Sequence, residues 1–317
     1  MHPAFSVIFF TTLSGAGYGL LLWSAVASLL GWGRSDALLV AIGLGLVLAT
    51  VGLLSSMAHL GKPARAWRAF SQWRTSWLSR EGVMALLTYV PALALGVVLL
   101  GAAVAAHPVT PAAHVVTTRI VASVALIGCA LATVYCTAMI YASLKPIPAW
   151  RHGLVAPVYL LFALLTGGLH CAALAASIHG GVDNRVATVG MLVALVLAAL
   201  KWKYWRDVDA PLPLTRGDAV GLPGREIGVF ERPHTQANYL TREMGFVVAR
   251  KHGRRLRAIA LILFAVLPVL LLLPVGLIVH LDSAPWLWAA ALCTLAGAFV
   301  ERWLFFAQAR HLVTLYY

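Results

Sequence analysis

The sequence is short of charge. Only 11% of its 317 residues are Asp, Glu, Lys or Arg, against about 25% in a typical soluble domain. With 61% hydrophobic residues, a water-soluble chain of this size could not hide its apolar surface, so an ordinary soluble enzyme is excluded. Cysteine is scarce too. Cys129, Cys136, Cys171 and Cys293 all lie in apolar runs, and no two form a CxxC pair. That pattern gives no support for a disulfide framework, a zinc site or an iron–sulfur cluster held by this chain. No carboxylate falls near the centre of a long apolar run, which argues against a proton pump or ion-coupled transporter. Among eleven histidines, only His170 is plainly inside such a run. A two-haem cytochrome needs four such histidines paired across helices, so a haem-carrying anchor is disfavoured.

What the chain has is hydrocarbon in span-length pieces. A bilayer span needs about 20 mostly apolar residues. Eight stretches qualify, near 4–30, 37–57, 82–106, 118–142, 154–178, 186–205, 258–280 and 285–306. The expected fold is all-α: residues 1–317 form a single integral membrane domain, a polytopic bundle of eight transmembrane helices. The first stretch has no basic n-region and too long an apolar run for a cleaved signal, so it reads as a retained helix. Gly15 and Gly19 within it are spaced as GxxxG, which suits close helix packing. Glu301 and Arg302, near the end of the last span, are expected to snorkel to the interface.

The net charge is +13. In a soluble protein that would suggest nucleic acid; in a membrane protein it marks cytoplasmic loops. Of the 24 Lys and Arg residues, 19 lie in the 2–3, 4–5 and 6–7 loops. The positive-inside rule then puts these loops and both termini in the cytoplasm. A basic docking face for a partner would mimic the same bias.

Three stretches can carry polar chemistry. Residues 60–81 form an amphipathic loop. Trp67, Phe70, Trp73 and Trp77 recur every three or four residues, with Arg65, Arg68 and Gln72 largely on another face. This is the pattern of a helix lying in the interface plane, and it also fits a simple aromatic belt and basic anchor. His59 ends the second span, and the third begins just after Glu81, so both belong to one membrane face. An imidazole and a carboxylate at the rim of a bundle suit a lipid-soluble quinone. The imidazole can bind the head-group oxygens and take a proton near neutrality, and the carboxylate can carry protons onward. Arg65 can offset negative charge on the ring, or be a solvated loop charge. At the end of the fourth span, on the same face, Tyr141 can reach this corner with its hydroxyl, or serve as an interfacial anchor. The third stretch, 201–257, is a polar basic cytoplasmic segment. It is too poor in apolar residues for a core of its own. Lys201, Lys203, Arg206, Arg250 and Lys251 give it a docking surface for an extrinsic subunit, with a lipid-facing basic loop as the competing reading.

At these residues the chain resembles a known family. The opening His2-Pro-Ala-Phe-Ser-Val-Ile-Phe-Phe, then His59-Leu-Gly-Lys-Pro-Ala-Arg-Ala66, Ser79-Arg-Glu81, and Tyr141 with Pro148 and Trp150 are similar to the membrane anchor subunits of dimethyl sulfoxide reductase. The segment His234–Phe246 looks like one carried by proteobacterial members with a longer loop. The resemblance implies a haem-free, eight-helix subunit of the bacterial inner membrane, with no iron–sulfur cluster of its own. Its implied partners are a molybdopterin catalytic subunit and an iron–sulfur subunit that holds [4Fe-4S] clusters, and quinone or quinol is its exchangeable substrate. The family's quinol-site histidine, glutamate and arginine fall on His59, Glu81 and Arg65. Anchors of sulfite dehydrogenases are similar, and the longer, basic 6–7 segment here leaves the terminal substrate and the direction of electron flow open. A small-solute transporter and a purely structural anchor without a quinone site are the competing functions.

Because no carboxylate sits near a span centre, protons of quinone chemistry should be exchanged on one face only. Turnover in proteoliposomes is therefore expected to build no membrane potential; a potential that grows during quinone turnover refutes this.

Overall fold

The computed structural model describes residues 4–58, 61–104, 112–211, 214–228, 230–231, 248–278 and 280–315. The described residues are mostly helical, with no strand among them. The long helices are α1 (Phe5–Leu30), α2 (Ser35–Met57), α3 (Trp77–Val104), α4 (Ala113–Ala142), α5 (Val155–His179) and α6 (Asn184–Asp209). A 3₁₀ helix, Pro63–Gln72, lies between α2 and α3. After a short α7 (Arg216–Ala219) comes α8 (Val248–Leu261), which runs through a π turn (Ile262–Val266) into α9 (Leu267–Leu277). The last span is α10 (Ala284–Ala307). Among the described residues eight helices are long and apolar enough to cross a membrane, the seventh being the continuous stretch His252–Leu277.

The expected span positions hold, and the helices run longer at several ends. The third starts at Trp77 rather than near residue 82, the fourth at Ala113 rather than near 118, and the sixth runs to Asp209 rather than stopping near 205. Hydropathy marks only the oily part of a helix. The polar extension of α4 is held by a partner far along the chain. Arg119 of α4 donates to Ser28 Oγ at 3.0 Å and to the Ser28 carbonyl at the end of α1. A cation at a helix C-terminus meets free carbonyls and the negative end of the dipole.

The most enclosed helices are α1 and α5, whose apolar stretches are 67% and 61% buried. α1 packs against α2, α4, α5 and α10. In lipid, helices gain little from hydrophobicity alone, so close approach through small residues drives packing. Gly19 does this for α5: a Cβ there would collide with the Ala163 carbonyl, and a Cβ at Gly167 would collide with the backbone of Gly19. Gly17 does it for α2, where a Cβ would sit 2.6 Å from Ala49 N. Gly15, the other half of the GxxxG spacing, has open space around it. The contact thus uses one glycine of the motif with Gly167 across from it. On α10, Gly297 performs the same role against the π turn, its Cβ position lying 2.6 Å from Phe264 N. The π turn itself comes just before Pro268, whose ring cannot donate to the helical ladder.

Cross-links identify the two ends of the bundle. At one end, Tyr204 of α6 donates to Ala149 O (3.0 Å), Trp150 Nε1 donates to Phe305 O (3.0 Å), and Leu312 N donates to Pro146 O (2.9 Å). The 4–5 loop, the end of α6 and the C-terminal segment therefore share a face. At the other end, Trp288 Nε1 donates to Ser177 Oγ (2.9 Å) and Asn184 Nδ2 to Gly276 O (3.4 Å).

Replacing Gly19 or Gly167 by Leu should destabilise the bundle beyond the ~1–3 kcal/mol of ordinary overpacking, because backbone rather than side chain must move. Gly15→Ala should be nearly neutral. Thermal unfolding of detergent-solubilised variants checks both.

Candidate functional site

The site is built on the start of α3. Trp77 and the two turns after it are held down by the 3₁₀ helix. Ser79 Oγ donates to the Ala69 carbonyl and accepts from Gln72 N at 3.2 Å. Arg80 donates to Trp73 O (3.0 Å) and Arg74 O (2.6 Å), with its guanidinium 4.3 Å from the centre of the Trp77 ring. Phe70 lies against Gly82, where a Cβ would be 2.9 Å from its ring. These contacts explain the early start of the helix. They also bring Glu81 inside α3, one turn from its N-terminus, where hydropathy alone put it just before the span.

Glu81 is buried, at 4% exposure. Its Oε1 lies 3.4 Å from the hydroxyl of Thr137 on α4, a weak hydrogen bond; the same hydroxyl donates to Thr133 O at 3.0 Å. Tyr18 of α1 and Tyr141 of α4 are both within electrostatic reach of the carboxylate. Glu81 and Tyr141 both lie at the end of the bundle that carries the 4–5 loop. His59 lies outside the described residues; in sequence it directly follows Ala58, the C-cap of α2. Arg65 is exposed on the 3₁₀ helix and forms no ion pair with Glu81 among the described residues. Tyr141 does not stand free at a rim. Its ring is packed among Trp150 (5.4 Å), Tyr159 (6.2 Å), Phe305 (5.7 Å) and Phe306 (5.1 Å). Two prolines shape the 4–5 loop so that Trp150 folds back onto it.

A second polar centre was not foreseen. Lys201, expected on the docking face, is 1% exposed and donates to Glu301 Oε1 at 2.5 Å. Arg302 Nη1 stands 3.0 Å from Glu301 Oε2, without the alignment of a hydrogen bond. Glu301 and Arg302 do not snorkel; they are 1% and 3% exposed. Aromatic rings box the charges in. Arg302 Cζ lies 3.5 Å from the centre of the Tyr159 ring, and Lys201 Nζ lies 4.1 Å from Tyr204 and 4.9 Å from Trp205. Ring faces attract cations, and more strongly away from water.

The rest of the basic segment divides. Lys203 and Arg206 are exposed on the last turns of α6, where Lys203 pairs with Asp207 at 3.0 Å. Arg250 and Lys251 fall on α8 with their side chains outside the described residues. Arg257 is tied down, donating to both oxygens of Asp209 (2.5 and 2.9 Å) and to Gln308 Oε1. His170, the intramembrane histidine, is buried with Nδ1 2.7 Å from Thr166 O and its ring edge-on to Trp288. Among the described residues no cluster of His, Cys, Asp and Glu is arranged to hold a metal ion.

An eight-span helical bundle with a buried carboxylate under an amphipathic 3₁₀ helix, and a basic segment at the same end, has the build of a membrane anchor for soluble partners. The chain belongs to the family of DMSO reductase anchor subunits (DmsC), which it matches over residues 1–308. It is also 34% identical to the C subunit of sulfite dehydrogenase from Allochromatium vinosum, over 100% of this chain and 99% of that protein. It is accordingly a multi-pass membrane protein.

The buried triad has one anion between two cations. Glu301→Gln leaves both cations buried without a counter-charge and should cost about 3–5 kcal/mol. Lys201→Met leaves Arg302 beside Glu301 and should cost less. Thermal unfolding of the solubilised protein orders the two.

Proposed function

We propose that this chain anchors a molybdopterin oxidoreductase complex in the bacterial inner membrane and exchanges electrons between the quinone pool and an iron–sulfur subunit. Glu81 carries the reading. It is a carboxylate kept from water at the start of a span, at the end of the bundle where the basic segment lies. A quinone head group needs a proton donor or acceptor beside each ring oxygen. Glu81 supplies one, and His59 supplies the other. Arg65, on the 3₁₀ helix above, steadies negative charge on the ring. Tyr141 lines the inner wall and acts through its packing rather than as a free hydroxyl.

The full-length likeness to a sulfite dehydrogenase subunit supports the sulfite-oxidising direction. Sulfite oxidation yields two electrons, which pass through the [4Fe-4S] clusters of the partner into quinone. The electrons and two protons together give quinol. The loops carrying residues 60–81 and 201–257 then face the cytoplasm with both termini, in line with the basic loop count. Lys203, Arg206, Arg250 and Lys251 form the docking surface for the iron–sulfur subunit, while Lys201 acts from below as an internal tie.

Replacing His59 by Ala or Glu81 by Gln in the assembled complex should stop quinone-linked turnover, a loss on the order of 100-fold or more for a proton-handling group. Artificial-dye turnover of the catalytic subunit should survive. Quinone-linked rates at wild-type level in both variants would leave a purely structural anchor. Identification of the co-purifying subunits, and their activity with sulfite, checks the class and the direction.

A further inference from the structure

A hollow of about 390 Å³ opens at the end of the bundle that carries the 4–5 loop. It lies between the end of α6, the early turns of α8 and the residues just after α10. His152, Asp207, Asp209, Arg254, Arg257 and Arg310 supply its charged and titratable lining. Both carboxylates are already matched. Asp209 takes Arg257 on its two oxygens, and Asp207 lies 3.0 Å from Lys203 and 3.4 Å from His152. Arg257 also donates to Gln308 Oε1, so its guanidinium is committed to the wall. Gly253 lets the Gln308 amide reach α8, where a Cβ would stand 2.6 Å from Gln308 Nε2. Arg254 and Arg310 are different. Both are exposed, both are within electrostatic reach of Asp209, and neither forms an ion pair among the described residues. Two guanidinium groups without a counter-charge, opening on one hollow, suit the oxygens of a phosphate ester.

The depth of the hollow says where that phosphate comes from. On α6, Trp202 is 63% exposed, with the Arg206 guanidinium 5.6 Å from its ring centre. An exposed tryptophan at a span end marks the membrane–water interface. Asp207 and Asp209 follow it by five and seven residues, roughly 7–10 Å further along the helix. That is the level of the head groups, which add about 5–8 Å to each side of the hydrocarbon. The hollow also faces lipid sideways. The apolar stretches of α6 and of the seventh span are only 22% and 33% buried. α6 packs on α9 and the π turn, while α8 packs on α10, so α6 and α8 part towards the basic end. Leu195 and Val196 on α6, and Ile259 and Ile262 on the seventh span, are exposed deeper in the membrane and offer surface to acyl chains.

We propose that this hollow binds the head group of an anionic phospholipid. Arg254 and Arg310 hold the phosphate oxygens, and the acyl chains run down the exposed sides of α6 and the seventh span. Three arginines against two paired carboxylates leave the lining positive, which disfavours a zwitterionic head group that brings a cation of its own. The lipid fills the opening between α6 and α8 and so braces the two ends of the polar 6–7 segment.

The detergent-solubilised full chain tests this by native mass spectrometry, with dioleoyl phosphatidylglycerol as the probe and phosphatidylcholine of the same chains as the control. Wild type should bind the first phosphatidylglycerol well ahead of phosphatidylcholine. Arg254→Gln combined with Arg310→Gln should weaken that first site about thirtyfold, each arginine having the usual worth of a basic residue near anionic lipid. Exposed and unpaired side chains contribute little to folding, so the lipid-free unfolding temperature of the double variant should match wild type. Phosphatidylglycerol should raise the unfolding temperature of wild type more than that of the double variant. Equal binding of the two lipids by wild type, or unchanged phosphatidylglycerol affinity in the double variant, overturns the proposal. If inorganic phosphate alone stabilises wild type as much as phosphatidylglycerol does, the occupant is a free anion and the lipid assignment is wrong. If the double variant keeps its lipid affinity but loses a subunit from the purified complex, the arginines hold an acidic side chain of a partner instead.

Discussion

Hydrocarbon offers no hydrogen bonds, so every polar group within the eight spans must find its partner inside the protein. The packing of α1 and the placing of the charges both follow from that constraint. Glycines at 17 and 19 let α1 close onto α2 and α5 at backbone distance, where dispersion contacts are densest. Hydroxyls along the spans bond back to their own helices, as Thr133 does to Cys129 O and Thr166 to Phe162 O. The charges cannot be satisfied that way. They meet each other, in the triad, or free carbonyls, as Arg119 meets Ser28.

The same constraint gives Glu81 its character. A carboxylate at a span end would ordinarily face water. Here Ser79 and Arg80 on the turn before it are committed to carbonyls of the 3₁₀ helix and the residues just after it, which draws the first turn of α3 under a roof. Glu81 is left with a single hydroxyl near it and two tyrosines within electrostatic reach. An aromatic cluster of Tyr141, Trp150, Tyr159, Phe305 and Phe306 packs at the same end, with Arg302 of the triad lying on the Tyr159 ring.

Much of this was legible in the sequence, and the exceptions have a common cause. The eight spans were readable because span length is set by bilayer thickness. The place of Glu81 at the start of a span was readable because it stands at the junction of a basic aromatic loop and an apolar run. Lys201 was misread because it opens the run Lys-Trp-Lys-Tyr-Trp-Arg, which looks like an interfacial anchor, and its partner is 100 residues away. A signal was nevertheless there. On α6 the buried positions are Ala187, Ala194, Leu197, Lys201, Tyr204 and Trp205, spaced at helical intervals, so Lys201 continues the inward stripe. Glu301 likewise follows Leu287, Ala290, Thr294 and Gly297 on the buried side of α10. Helical phase, followed past the end of the oily stretch, would have put both charges inside.

The triad also bears on how the chain is made. Lys201 enters the membrane with the sixth helix, but Glu301 belongs to the eighth and reaches the translocon only after 100 more residues. Until then the ammonium group has no anion beside it, and lone charges in hydrocarbon are expensive. The sixth helix should therefore remain shallow or shielded until synthesis is complete and the final helix draws it in. Chains cut short before the last span would keep that exposed cation as a mark for quality control.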